Sequence, residues 1–257
     1  KDFRGEGTGT RHLLNHGMQT DYAVCCDGSD LNIVWTQEGV VQLRIAIYGN
    51  AEAAWGTKRE THPMEEWNAI VKMTRVIEAV EKWGAEFEKK YIYDSPTGPL
   101  LPKVNIGGIE GGAPYRPNYF PGVCAIYVDI RIPPQVRPVQ VQHEVEQVMN
   151  GLGMDYQLDL YKSLLGHEGR DVEPLVKTAE EVFEHLFDEK LKPEPPDRAS
   201  IWTDTNIYNE LGIPCIKIGP RGRRIGPRNE EIAIDEMVKA TQIYALMALD
   251  ICSRDRG

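Results

Sequence analysis

The sequence lacks several patterns by which common protein classes are recognised. Its 257 residues contain no apolar run long enough to cross a bilayer, so we predict no membrane partner. It carries no secretory signal pattern and no Cys-x-x-Cys pair, although it has five cysteines. Because most of these lie in or beside apolar runs, where free thiols pack as small hydrophobic groups, we predict a cytoplasmic protein.

Positive charge is also scarce. The chain has 29 Lys and Arg against 39 Asp and Glu, a net charge of −10 and a pI near 5.2. An acidic surface repels phosphate backbones, so we predict no nucleic-acid partner. The local exception is the group Arg221, Arg223, Arg224 and Arg228, which is either a solvated loop or a site for an anionic group.

The middle of the chain has the periodicity of one α+β domain. Strand-like and helix-like segments alternate there in the order β-α-β-β-α-β, with strands at 40–48, 102–109, 122–132 and 155–161 and helices starting at Pro63 and spanning 137–153. Two helices covering one face of a four-stranded sheet can bury a core. We therefore predict a ferredoxin-like domain over residues 38–165.

The flanking segments, 1–37 and 166–257, read as α/β material. The apolar run YAVCC ends at Asp27-Gly28, and a helix at 173–187, a strand PCIKIG and a helix at 235–252 follow the central domain. We predict a partial α/β domain in two pieces, with the central domain inserted between them. Left alone, YAVCC and IPCIKIG would be unpaired strands. We therefore expect a preceding segment or a separate chain to carry the N-terminal half of this domain.

Five segments, in this order, resemble the zinc amidohydrolase superfamily of acetylornithine deacetylases, succinyl-diaminopimelate desuccinylases, aminoacylases, glutamate carboxypeptidases and related dipeptidases. They are DYAVCCDGS with Asp27 and Ser29, Gly49 with the segment from Pro63 to Ile70, the Asn118-Tyr119-Phe120-Pro121 turn, VDIRIPP with Arg131, and TDTNIYNELGIPCIKIGPRG. The resemblance implies a catalytic α/β domain interrupted by a lid domain, which usually also forms a homo-oligomer.

The resemblance also implies site residues. Asp27 falls on a metal ligand, Arg131 on the arginine that holds a substrate carboxylate, and Asn118 on an oxyanion donor, while Trp202 and Asn206 fall in the substrate pocket. The implied cofactor is a divalent metal ion, with zinc first and manganese, cobalt or nickel as alternatives. The general base, a Glu, is expected in the preceding segment. The implied activity is hydrolysis of a C–N bond in a small carboxylated substrate.

Departures from the family pattern qualify this expectation. Gly226 falls on a terminal His ligand, which favours one metal site rather than two, and Ala53 or Trp55 replaces a lid His. Asn206 replaces an Arg, and Trp202 stands where a small residue is usual. A non-catalytic paralogue that serves as a scaffold or regulatory subunit is therefore the alternative.

Residue by residue, other roles stay open as well. Asp27 has the context of a turn aspartate, Arg131 that of a sheet-edge cap and Asn118 that of a turn residue. Asp30 is a substitute metal ligand and His62 a substitute for the lost lid His.

Overall fold

The computed structural model describes residues 6–225 and 229–254, and they form two compact units. The first unit lies within Lys1–Glu38, Tyr93–Leu100 and Gly166–Gly257. The second comprises Gly39–Ile92 and Leu101–Leu165.

The helices of the described residues are α1 (Thr8–Asn15), α2 (Met64–Trp67), α3 (Ala69–Lys90), α4 (Pro138–Gly151), α5 (Glu173–Phe187), α6 (Pro196–Ala199), α7 (Thr205–Glu210) and α8 (Ile234–Ser253). The strands are β1 (Ala23–Cys25), β2 (Thr36–Gln37), β3 (Gly39–Tyr48), β4 (Tyr93–Ser95), β5 (Gly98–Leu100), β6 (Lys103–Gly111), β7 (Val123–Ile132), β8 (Tyr156–Leu164), β9 (His167–Glu168), β10 (Cys215–Lys217), β11 (Gly222–Ile225) and β12 (Asn229–Ile232). Within the described ranges, no helix is long and apolar enough to cross a membrane.

The second unit combines helices with an antiparallel sheet, as the sequence predicted. Its four strands are ordered β6-β7-β3-β8. Alternate residues of β3 and β7 turn one face of the sheet towards the long helices α3 and α4. That face forms one core, which includes Leu43, Ile45, Ile126, Met73 and Val145. The opposite face carries polar side chains, so the alternation along the strands decides which face the helices cover.

The helix predicted from Pro63 onward is two helices. α2 ends at Trp67, and Asn68 has an extended backbone with φ −101° and ψ 107°. Its Oδ1 accepts hydrogen bonds from the backbone N–H of Ile70 (3.0 Å) and Val71 (3.1 Å). Asn68 is thus the N-cap of α3, and a capping residue needs a non-helical backbone. The break follows from Asn68 rather than from the apolar spacing.

In the first unit, β1 and β10 pair in parallel, with Cys25 opposite Lys217. Helices α5 and α8 contribute to a core with these strands, in which Ile216, Ala179 and Ile243 are buried. Between β1 and β2 the chain turns at Asp30 and Leu31, whose φ values of 54° and 59° an extended strand does not allow. Ile33 and Val34 then form single β-bridges before β2 begins.

Candidate functional site

Asp27 lies two residues beyond the carboxyl end of β1. Its side chain is exposed, and its Oδ1 accepts a hydrogen bond of 2.8 Å from the backbone N–H of Gly28. Ionised carboxylates are ligands for divalent metal ions. The structure therefore presents one oxygen donor at the position that the motif predicted.

The loop that carries Asp27 is fixed against Gly219. The Gly219 N–H donates to Ser29 Oγ (2.9 Å), the Leu31 N–H donates to the Gly219 carbonyl (2.8 Å), and Ser29 Oγ donates to the Asn32 carbonyl (2.6 Å). A Cβ on residue 219 would lie 2.1 Å from the Asp27 carbonyl oxygen. Only glycine fits there, so Gly219 and the buried Ser29 set the position of the Asp27 backbone.

A buried ion pair lies in the same part of the first unit. Lys217 Nζ is 2.7 Å from Glu194 Oε2, and the two side chains are 0% and 1% exposed. Burial raises the pKa of Glu194, against the opposing attraction of Lys217; Asp27 and Asp197 raise it further by repulsion. Asp27 is therefore close enough to interact electrostatically with this pair. In the sequence, the ion pair is indicated by a lysine inside the otherwise apolar strand IPCIKIG.

The described residues do not form a metal site by themselves. Residues 6–225 and 229–254 contain no cluster of three His, Cys, Asp or Glu side chains that could hold a metal ion. Asp30, the substitute ligand, instead forms an ion pair with Arg198 and lies 3.9 Å from Arg221. Gly226, predicted to replace a ligand, is outside the described residues. A metal at Asp27 would need ligands from elsewhere.

Trp202 and Asn206 flank a buried polar segment of the first unit. The Asn206 Nδ2 donates to the Glu38 carbonyl (2.9 Å), and its Oδ1 accepts from the His167 N–H (3.1 Å). Trp202 lies beside Gly7, where an added Cβ would be 3.1 Å from its ring. Asn206 thus uses both ends of its amide to hold the backbone. Trp202, by contrast, is partly exposed.

Arg131 lies near the end of β7 on the polar face of the second unit's sheet. Its Nε donates to Asp129 Oδ1 at 2.8 Å, and its Nη2 lies 3.5 Å from Asp129 Oδ2. The Gln42 Nε2 donates to that same Oδ2 at 2.7 Å. Asp129 therefore holds one edge of the guanidinium and leaves its other N–H groups for a further acceptor.

Asn118 lies in the loop before β7 and is exposed. Its carbonyl accepts a hydrogen bond from the Ala54 N–H (2.9 Å), and Ala53 and Tyr119 form an antiparallel bridge. The loop containing the residues predicted to replace the lid His is thus joined directly to the loop of Asn118. His62, the other substitute, contacts Trp67 with ring centroids 4.2 Å apart and planes tilted by 57°.

Arg131 and Asn118 lie at opposite ends of β7. Asn118 precedes Val123, where the strand begins, and Arg131 is the strand's second-last residue. At about 3.3 Å per residue, the eight steps from Val123 to Arg131 span about 26 Å. One small molecule cannot touch both residues within one unit.

Comparison with known proteins supports the predicted relationship. Residues 56–157 match the family described as the peptidase dimerisation domain. The chain is 25% identical over 273 residues to N-formyl-4-amino-5-aminomethyl-2-methylpyrimidine deformylase of Bacillus subtilis, and the match covers 96% of this chain and 62% of that protein.

Solved structures are similar in fold over nearly the whole chain. A tripeptidase from Staphylococcus aureus superposes with a TM-score of 0.69 at 19% identity, covering 96% of this chain and 61% of that chain. The aminopeptidase PepT from Bacillus cereus gives a TM-score of 0.63 at 17% identity, with 97% and 63% coverage. The matched dimerisation domain and these structures fit the superfamily that the motifs predicted, and the chain spans less than two thirds of the length of these relatives.

Proposed function

We propose that this chain is part of a metal-dependent hydrolase that cleaves a C–N bond in a small carboxylated substrate. The observation that carries the proposal is the exposed Asp27 carboxylate, fixed at the end of β1 by Gly219 and Ser29. The names of the relatives support the reaction class, because a deformylase and peptidases cleave C–N bonds. A similar structure from Sulfolobus solfataricus is a metallo-carboxypeptidase, which supports a divalent metal.

In this proposal the two units have different roles. The first unit, which contains the segments 1–37 and 166–257, is the partial catalytic domain, and the second unit, which lies within 38–165, is the lid. The strand order β6-β7-β3-β8, with α3 and α4 on one face, supports the ferredoxin-like class for the lid. The remaining metal ligands and the general base come from an N-terminal half outside this chain, since Asp27 alone is too few ligands.

The substrate contacts in this proposal are those that the resemblance implies. Arg131 binds its carboxylate with the N–H groups that Asp129 leaves open, because a guanidinium can pair with a carboxylate through two parallel hydrogen bonds. Asn118 donates to the oxygen that becomes negative during attack on the scissile group. Trp202 contributes a partly exposed ring, and Asn206 supports the pocket by holding the Glu38 and His167 backbone.

The separation of Arg131 and Asn118 implies that each substrate site is formed by two copies of the chain. Since one substrate cannot reach both ends of β7, a second copy of the chain supplies one of the two residues. The match to a dimerisation domain supports a homodimer formed through the lid. In a two-fold dimer, each site would then contain Arg131 of one copy and Asn118 of the other.

The direct test is the metal content of the protein carrying its N-terminal half. We expect Asp27→Asn to lose bound metal, measured by elemental analysis after dialysis, and to lose hydrolysis of N-formyl and N-acyl amino acids. Asp30→Asn is the matched control, since Asp30 is ion-paired to Arg198, and should retain both. Metal content and hydrolysis unchanged in Asp27→Asn would refute the role of Asp27. A parent protein without metal or hydrolysis would favour the scaffold alternative.

A further inference from the structure

Two loops of the second unit expose an unusual group of side chains. Trp55 and Tyr119 are 60% and 38% exposed, and the Arg116 side chain extends beside Tyr119. We call Trp55, Arg116 and Tyr119 the aromatic platform. Large aromatic side chains clustered on a surface are uncommon without a binding role, because exposing them to water is unfavourable.

The rings of the platform are ordered relative to one another. Trp55 meets Tyr119 edge to face, with centroids 5.3 Å apart and planes at 85°. The Arg116 guanidinium carbon lies 5.3 Å from the centroid of the Tyr119 ring. Both arrangements are favourable for aromatic rings and for a cation near a ring. Although Trp55 contacts Tyr119, most of its surface remains exposed to solvent.

The backbone beneath the platform is held in place. The Phe120 N–H donates to the Glu52 carbonyl (2.7 Å), and the Ala54 N–H donates to the Asn118 carbonyl (2.9 Å). Phe120 itself is buried and packs against Trp67, with ring centroids 6.0 Å apart. These contacts join the two loops, so a ligand would meet rings that are already positioned.

A cavity of about 400 Å³ opens beside Tyr119 and Arg116. Its other lining residues are small or apolar, among them Ala51, Gly112 and Gly122. That volume lies within the range of about 300–1,000 Å³ found for small-molecule pockets. A pocket of this size fits a single ring with a short substituent.

The platform carries the positive charge of Arg116. The ion pairs found among the described residues do not include this side chain. A guanidinium stacked on an aromatic ring keeps its edge N–H groups for an anionic acceptor. A flat ring that carries a negative charge therefore complements all three side chains.

We propose that the aromatic platform binds a planar, negatively charged ring of the substrate, by stacking on Trp55 and Tyr119 and pairing its anion with Arg116. The inference rests on the proposed function only in assigning the ring to the substrate. Asn118, placed at the scissile group, adjoins Tyr119 in the same loop. The cavity and the unpaired cation favour a small ligand over a second copy of the chain, which would need a broad complementary surface.

The test compares two probes of equal charge and ring size. Benzoate is planar and cyclohexanecarboxylate is not, so stacking distinguishes them while the ion pair does not. We expect the protein to bind benzoate about fivefold more tightly or better by ligand-observed NMR titration. Trp55→Ala should abolish this preference, and Arg116→Met should weaken both probes. Tyr161→Ala, which removes another exposed ring of the same unit (54% exposed), should change neither.

Equal affinities of the parent protein for the two probes would overturn the inference, as would an unchanged preference in Trp55→Ala. Light scattering on the same variants measures their oligomeric state. A Trp55→Ala protein that changes its oligomeric state but not its ligand preference would assign the platform to a contact between copies. Ring preference without hydrolysis would refute the proposed function and leave the ring site intact. Hydrolysis without ring preference would refute the ring site and leave the proposed function intact.

Discussion

Arg131 depends on Asp129 for its orientation. The carboxylate accepts from the Arg131 Nε and is itself held by Gln42. A guanidinium fixed along one edge is already aligned for a substrate carboxylate, so less side-chain entropy is lost on binding. Asp129 is thus a positioning residue, since in this arrangement it acts through Arg131 rather than on the substrate.

We expect Asp129→Asn to raise KM about tenfold with a smaller change in kcat, because a charge-assisted hydrogen bond is worth about 1.5–3 kcal/mol. Steady-state kinetics measures the two effects separately. Asp159→Asn is the matched control, since it weakens the Arg44–Asp159 pair (3.3 Å) in the same sheet. Equal KM changes in both variants would mean that Asp129 acts only on the stability of the sheet.

Each member of the buried pair of Lys217 and Glu194 needs the other for the stability of the first unit. Removing one member leaves the other charge buried without a partner, so Lys217→Met should lower the free energy of unfolding by about 3–5 kcal/mol. Chemical denaturation measures the loss, and adding Glu194→Leu to this variant should restore much of it. At the exposed pair of Arg11 and Glu210, Arg11→Met should cost less than about 1 kcal/mol. Similar losses at the two pairs would contradict this account.

At the scale of elements, the register of β1 against β10 decides where Asp27 lies. A methyl group on residue 219 cannot occupy a point 2.1 Å from the Asp27 carbonyl oxygen, so Gly219→Ala must move one loop or the other. We expect the variant to lose metal as Asp27→Asn does while keeping its far-ultraviolet circular dichroism spectrum. Gly222→Ala has nothing within 4 Å of the new methyl group and should keep its metal. Full metal content in Gly219→Ala would show that the contact does not position Asp27.

The main helices and strands could be predicted from periodicity, since each buries one face. The break at Asn68 could not, because a single side-chain oxygen that caps two N–H groups outweighed a continuous apolar stripe. The hairpin formed by β4 and β5 was also missed. Its strands have three residues each, which is too short for an alternating pattern. The hairpin also belongs to the first unit, whereas the preceding helix α3 belongs to the second.

The site was less predictable than the fold. Asp27 and Arg131 could be proposed from the sequence because they stand in recognisable motifs, Asp27 after a strand and Arg131 near the end of one. The contacts of Asp129 and Glu194 could not be predicted from motifs. Asp129 contacts Arg131 on the same face of the strand, and Glu194 contacts a lysine 23 positions further along the chain. The positions of Arg131 and Asn118 at opposite ends of β7 could have been inferred from the strand's length alone. The consequence of that separation appears only when both residues are assigned to one substrate.

At the scale of the whole molecule, that separation predicts complementation between two inactive proteins. Arg131→Ala and Asn118→Ala should each abolish most activity, because each removes a substrate contact from every site. If a site combines Arg131 of one copy with Asn118 of the other, a mixed dimer of the two variants has one site with both substitutions and one with neither. Equal mixing and reassembly should give half mixed dimers, so about a quarter of all sites should be intact.

Mixing the two purified variants under conditions that exchange subunits, followed by activity measurement, tests this directly. We expect activity to rise from near zero to about a quarter of the parent value as mixed dimers form. A mixture of Arg131→Ala with Arg131→Ala,Asn118→Ala is the control and should stay inactive, since none of its sites has an intact Arg131. If the first mixture also stays inactive although light scattering and differential tagging show mixed dimers, then Arg131 and Asn118 do not meet at one substrate across two copies. At least one of them would then have a role outside the proposed site, and Asn118 would remain a turn residue of the loop that precedes β7.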